Sequence, residues 1–243
     1  EKETQASRSH INELSSDLKN LDDEQQRQGA QATADAAQGD RVRTFKGEGD
    51  RQYLTGLKVG GERVLILVDV SASMLDETII NVVRRRNMDA ASKRNAAKWR
   101  RALATADWLV SNLPPTARFQ MYAFNTRAQP LVAGTEGKWL LTSNGKDIEA
   151  AVTGLHQSIP AGGTSLHHAL SVAGKLSPRP DNILLITDGL PTQGHSKPGG
   201  TTVSAEQRLK HFEAAVRTLA SAIPVNTILL PIDGDASAAA AFW

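Results

Sequence analysis

The sequence predicts an α/β fold: a doubly wound, mostly parallel central sheet with helices on both faces, preceded by an N-terminal helical segment. Three observations lead there. Short apolar runs rich in β-branched residues alternate with longer amphipathic stretches, Pro and Gly punctuate the changes between them, and two of the runs end in aspartate.

At the front, Ile11, Leu14, Leu18 and Leu21 fall at intervals of 3, 4 and 3, the spacing of a coiled-coil seam. Residues 1–24 are therefore expected to form a helical stalk or short coiled coil. Only about two heptads fit, so a solvated helix that frays alone remains the other reading. Residues 25–52 are polar and small and read as a linker, leaving residues 53–243 as the one globular domain.

Within that domain, residues 63–70 (RVLILVDV) have the continuous apolar character of a central strand covered on both faces. Residues 93–113 place Ala102, Leu103, Ala106, Leu109, Val110 and Leu113 on one helical face, and Pro114-Pro115 stops the helix. Residues 118–124 (RFQMYAF) form a second strand. Weaker strand signals at 131–133 and 139–141 suggest a hairpin or edge strand around the Gly134–Gly137 turn. Helices are expected over 146–155, 165–176 and 204–222, and strands over 182–187 (NILLIT) and 225–230 (VNTILL). Such an order gives parallel strands with crossover helices, and ligands of such sheets sit beyond the strands' carboxyl ends. Asp69 and Asp188 both lie there.

Composition narrows the options. The chain of 243 residues has a formal net charge of +2, too small to demand a polyanionic partner. It has no cysteine, which excludes a disulfide framework and thiolate metal sites but leaves the compartment open. No stretch is apolar for long enough to span a bilayer as a helix. The sequence begins at Glu1 rather than Met, and a signal peptide or membrane anchor upstream is expected.

Asp69-Val70-Ser71-Ala72-Ser73 follows the first strand directly. Side chains at i, i+2 and i+4 cannot share one face of an α-helix, but on a turn leaving a strand they can converge. A carboxylate with two hydroxyls is a hard, oxygen-only ligand set suited to Mg²⁺ or Mn²⁺. Alone the motif is weak, since Asp/Ser turns and N-caps are common. Two further loops strengthen it: Gly162-Gly163-Thr164-Ser165 precedes an apolar helix, and Thr187-Asp188-Gly189 ends the strand NILLIT. Gly162-Gly163 suits unusual backbone angles, Gly189 a tight turn, and Thr164 or Ser165 could equally be a helix N-cap.

Together these loops resemble the metal-ion-dependent adhesion site of von Willebrand factor A (vWA) domains, over about residues 60–235. The resemblance implies that Ser71 and Ser73 coordinate Mg²⁺ directly, with Mn²⁺ or Ca²⁺ as alternatives. Thr164 would ligate in a high-affinity state, and Asp69 and Asp188 would act largely through bound water. The implied function is metal-dependent binding of a Glu or Asp side chain of a partner protein, without catalysis. It also implies a further helix and strand after residues 237–243, and bacterial proteins of this layout are often membrane-anchored with the domain in the periplasm or otherwise outside the cytoplasm. A cytoplasmic location is the less favoured expectation.

Other features fit less tightly. Residues 74–92 read as an insertion at the rim of the site, and residues 84–101 hold eight Lys/Arg against the single acid Asp89. A solvated face explains such a run, and steering of an acidic partner by Arg84, Arg85 and Arg86 is the functional reading. Nucleic acid is a weaker candidate. His195, in the loop after Asp188, could join that rim, whereas His167-His168 can turn at most one ring toward the site. Phosphotransfer of the kind that uses a D-x-D pair lacks its second acid here, because Ser71 stands in that place. Neither a G-x-S-x-G elbow nor a Walker loop is present. The alternative function is a scaffold or assembly subunit that oligomerises through residues 1–24, the metal being incidental.

Overall fold

The computed structural model describes residues 60–243 other than 200, 201, 220–222, 236–240 and 243. The expected stalk over 1–24 and the linker over 25–52 lie outside the described residues. Strands β1 (Arg63–Asp69), β2 (Arg118–Phe124), β3 (Ala128–Pro130), β4 (Leu140–Leu141), β5 (Asn182–Thr187) and β6 (Val225–Leu229) form one six-stranded sheet in the order β3-β2-β1-β5-β6. β1 pairs in parallel with β2 and with β5, and β5 pairs in parallel with β6. The helices are α1 (Ile79–Arg85), α2 (Ala90–Arg94), α3 (Ala97–Ser111), α4 (Gly145–Gln157), α5 (Leu166–Ser171) and α6 (Ala205–Val216).

Alternation along β1 explains the two layers. Val64, Ile66 and Val68 face a core shared with Trp99, Leu109, Ile148 and Leu155 of α3 and α4, whereas Leu65 and Leu67 face Leu166, Leu170 and Ala215 of α5 and α6. A strand buried on both faces is apolar on both, which is why Val64–Val68 reads as a continuous run between Arg63 and Asp69. The chain moves from β1 to β2 on one side and later to β5 on the other. The resulting switch in strand order lies between β1 and β5.

Two expectations are corrected. The helix expected over 93–113 is two helices. Asp89 caps α2 by accepting from the Ser92 amide, Asn95 closes it, and Ala96 is extended (ψ 131°) before α3 starts. The break turns Lys98 and Trp99 inward. Of the hairpin or edge strand expected around the Gly134–Gly137 turn, edge pairing is what forms, with the first strand at 128–130 rather than 131–133: β3 and β4 pair antiparallel with separate parts of β2, at Tyr122–Phe124 and Arg118–Phe119. Buried Gln120 fills the gap between them. Its Oε1 accepts from the Met121 amide at 2.8 Å, and its Nε2 donates to the carbonyls of Thr135 and Lys138 at 2.9 and 2.7 Å. A single side chain thus replaces the ladder bonds that a hairpin would have made.

The helix expected over 146–155 is α4, slightly longer than expected, whereas those expected over 165–176 and 204–222 are shorter. α5 tightens into a 3₁₀ turn at Val172–Gly174, and α6 opens with a reciprocal capping box between Ser204 and Gln207. Beyond β6, Phe242 packs edge-on against Phe212 with ring centroids 4.9 Å apart. Because Gln120 bonds the Met121 amide and the Thr135 and Lys138 carbonyls, Gln120→Leu should lower the unfolding free energy by about 1–3 kcal/mol, measured by urea denaturation.

Candidate functional site

The switch point between β1 and β5 places two acids side by side. Asp69 ends β1, and the parallel register that pairs Val68 with Ile186 brings Thr187 beside it. The Thr187 hydroxyl donates to Asp69 Oδ2 at 2.8 Å, and the Ser71 amide donates to Oδ1 at 2.8 Å. The chain then turns through a short 3₁₀ segment, Ala72–Leu75, held down by buried Met74 and Leu75. That turn brings the Ser71 and Ser73 hydroxyls within 2.8 Å of each other. Ser73 Oγ donates to Asp188 Oδ1 at 3.1 Å, so the chain of contacts runs from one carboxylate to the other.

The third loop is tied in through its backbone. Ala72 N donates to Gly162 O at 3.0 Å, and Ala161 N donates to Val70 O at 2.9 Å. Gly162 has φ +79°, a left-handed conformation that side chains disfavour. A Cβ on Gly163 would lie 2.7 Å from Thr192 Oγ1, the atom that accepts from the Thr164 amide. Ser165, not Thr164, caps α5 by accepting from the His168 amide. Thr164 is buried, and its hydroxyl makes no hydrogen bond to Asp69, Ser71, Ser73 or Asp188 among the described residues. Gly189 is not among the glycines with positive φ, so the turn after Asp188 is made without that freedom.

Electrostatics at the site are lopsided. Asp69 is fully buried, and its carboxyl is pushed up from 3.8 to about 7, first by burial and then by the charge of Asp188. Hydrogen bonds from Ser71 and Thr187 oppose that rise without cancelling it. Asp188 has a partner that sequence reasoning missed. Lys98 is 1% exposed, and its Nζ donates to Asp188 Oδ2 at 2.8 Å and to the carbonyls of Ser73 and Asp76 at 3.1 and 3.2 Å. The signal was available: Lys98 lies four residues before Ala102 and eight before Ala106, on the buried stripe of α3. Two carboxylates, one ammonium and two facing hydroxyls form an oxygen-rich cluster. Those donors fit a small hard cation.

The expected rim residues separate. Arg85 pairs with Asp76 at 2.8 Å, whereas Arg84 and Arg86 are exposed. Burial would push the Asp76 carboxyl up, but bonds from Thr78, Arg85 and Asn81 hold it below its ordinary value. α1 buries no residue: Ile79, Ile80 and Val83 are 65%, 83% and 52% exposed, so this insertion presents apolar and basic side chains together. His195 is exposed, and its ring lies 5.2 Å from that of His167 and 5.6 Å from that of His168. Both rings of the pair therefore meet His195. Burial, followed by His195 and His168, lowers the pKa of His167.

A family model for the von Willebrand factor type A domain matches residues 64–190, more than half of the chain. The chain belongs to this family. No curated protein matches it. Among solved structures, the vWA domain is similar to a von Willebrand factor type A protein from Catenulispora acidiphila, with 19% identity and a TM-score of 0.48 over 68% of this chain and 32% of that one. It thus spans about a third of that protein's length. The conserved hypothetical protein BatB from Bacteroides thetaiotaomicron is similar at 19% identity and a TM-score of 0.43, covering 72% of this chain and 73% of that one. The vWF domain of the type V pili tip protein Mfa5 from Porphyromonas gingivalis gives 18% identity and a TM-score of 0.33, covering 58% of this chain and 42% of that one.

A carboxyl raised from 3.8 to about 7 binds its proton more tightly in the folded vWA domain than in the unfolded chain. Its contribution to stability is complete below the unfolded value and is gone once the pH has risen through the folded one. In EDTA, the Tm of the wild type should therefore fall between pH 5 and pH 8 by more than that of Asp69→Asn. Parallel profiles in a thermal melt series would contradict this.

Proposed function

We propose that this vWA domain binds a Glu or Asp side chain of a partner protein through a divalent cation, Mg²⁺ in the first instance and Mn²⁺ or Ca²⁺ as alternatives. Asp69, Ser71, Ser73, Thr164 and Asp188 would hold it. The observation that carries this reading is the pair of facing hydroxyls, Ser71 and Ser73, set between two buried carboxylates at the switch point. When bound, the cation would act as a Lewis acid that accepts an external carboxylate oxygen.

The division of labour among the residues is supported by how their oxygens are already engaged. Both oxygens of Asp69 accept protein hydrogen bonds, and so do both oxygens of Asp188. These acids therefore suit an orienting role, through water, better than direct ligation. The two hydroxyls meet mainly each other and are the groups most readily turned to a metal. A cation whose own ligands are mostly neutral stays electrophilic, so it favours an anion at its open position. The reading is one of binding, with no bond made or broken by the chain.

Arg84 and Arg86, beside the exposed apolar face of α1, suit the approach of an acidic partner. We also place the domain outside the cytoplasm, since the polar run over 25–52 suits a spacer from a membrane. Among the described residues no helix is long and apolar enough to cross one. Protease accessibility in intact spheroplasts tests the location; full protection there would exclude a periplasmic domain.

Isothermal titration of the full chain with MgCl₂ should show one site. Asp69→Ala should weaken it by about 10–100-fold, the usual loss when a group orienting a metal's ligands is removed. Absence of heat with Mg²⁺, Mn²⁺ and Ca²⁺ alike would end the metal reading.

A further inference from the structure

Lys98 is a buried charge that the binding function just described does not use. It comes from the first turn of α3, reaches the metal loop from beneath, and has each of its three ammonium protons accepted: by Asp188 Oδ2, Ser73 O and Asp76 O. Both members of the Lys98–Asp188 pair are almost fully buried, with side chains 1% and 4% exposed. A lysine on a core-facing stripe sacrifices its hydration completely, and a surface role for it is excluded.

We propose that Lys98 is the resident counter-cation of the site, a positioning residue that lets the domain fold without metal and weakens the metal's hold when it binds. The inference rests on the metal reading above. Two carboxylates buried together repel, and a fixed ammonium 2.8 Å from one of them offsets half of their charge. The same ammonium repels an incoming divalent cation. It also holds Asp188 Oδ2 away, leaving Oδ1 to face Ser73. The carbonyls of Ser73 and Asp76 bind the same Nζ, so the counter-charge also fixes the turn that carries the hydroxyls.

Losing the charge has a consequence that losing packing alone does not. Lys98→Met keeps a long apolar stem and removes the charge. In EDTA its Tm should fall below that of the wild type, because Asp188 then has no cation. In saturating MgCl₂ most of that loss should be recovered, since the metal supplies the missing charge. The Mg²⁺ dissociation constant should drop by about tenfold or more. The test compares full-length wild type and Lys98→Met by thermal melts in EDTA and in MgCl₂, and by isothermal titration with MgCl₂.

A Tm loss equal in EDTA and MgCl₂, with an unchanged dissociation constant, would make Lys98 a packing residue only and overturn the proposal. If the wild type binds no Mg²⁺ but Lys98→Met does, the counter-cation role stands and the metal-dependent function falls. If neither binds, both fall. Should Lys98→Met not fold in EDTA, refolding in MgCl₂ decides: rescue supports the proposal, and failure in both buffers overturns it.

Discussion

Asp69 and Asp188 stand at the ends of neighbouring parallel strands, almost wholly removed from water, and the surrounding structure answers first their burial and then their mutual repulsion. Uncompensated, such a pair would be expelled or protonated. Here compensation is divided among unlike groups. A strand hydroxyl, Thr187, and a turn amide, Ser71, serve Asp69, while a serine hydroxyl and a buried ammonium serve Asp188. The helpers come from three elements, so the sheet, the 3₁₀ turn and α3 are locked together by the demands of two side chains.

How much of this could be read from the sequence depended on the range of the interaction. β1 and β5 were legible because burial on both faces forces a nearly unbroken apolar run, and β2 and β6 because β-branched, aliphatic and aromatic residues dominate them despite Gln120 and the partly exposed edge at β6; the observed bounds differ from expectation by a residue or less. The five candidate residues stood out as a set because the Asp69–Ser73 turn and Asp188 leave such runs and Thr164 follows a glycine pair. Features decided by distant contacts were not. The break between α2 and α3 depends on the Asp89 cap and on the inward turn at Ala96, and a 3.6-residue periodicity passes over both. Gln120 looks like an ordinary polar position in a strand until the edge of β2 proves to be paired in two separate pieces. Lys98 was hidden in a basic run whose other members face solvent or pair at the surface.

That basic run divides in a physically sensible way. Arg85 and Lys98 are structural, engaged with Asp76 and Asp188 and tying α1 and α3 to the turn that carries Ser71 and Ser73. Arg84 and Arg86 are left to solvent on a helix that contributes nothing to the core. A seven-residue helix with no buried face cannot be maintained by packing of its own. It is held at its start, where Asp76 accepts from the Thr78 amide, Asn81 Nδ2 and Arg85 Nε. The insertion is therefore an arm whose anchor is the same turn that presents Ser71 and Ser73.

Attachment also distinguishes the five site residues from one another. Asp69 and Asp188 terminate central strands, and Ser71 and Ser73 sit on a turn pinned from beneath by Lys98 and by buried Met74 and Leu75. Thr164 hangs differently. Its loop reaches the others through Gly162 O and Ala161 N, and its own backbone is bonded to Thr192, in the loop that follows Asp188. Moving Thr164 therefore means moving Thr192 with it, whereas moving Ser71 or Ser73 would mean disturbing the core. Four of the positions are fixed by the sheet and what packs under it. The fifth lies on no strand: its loop is held by backbone bonds to Val70 and Ala72 and, through Ser165, to Asn125 after β2, while Thr164 itself is bonded to Thr192 and, among the described residues, not to the other four.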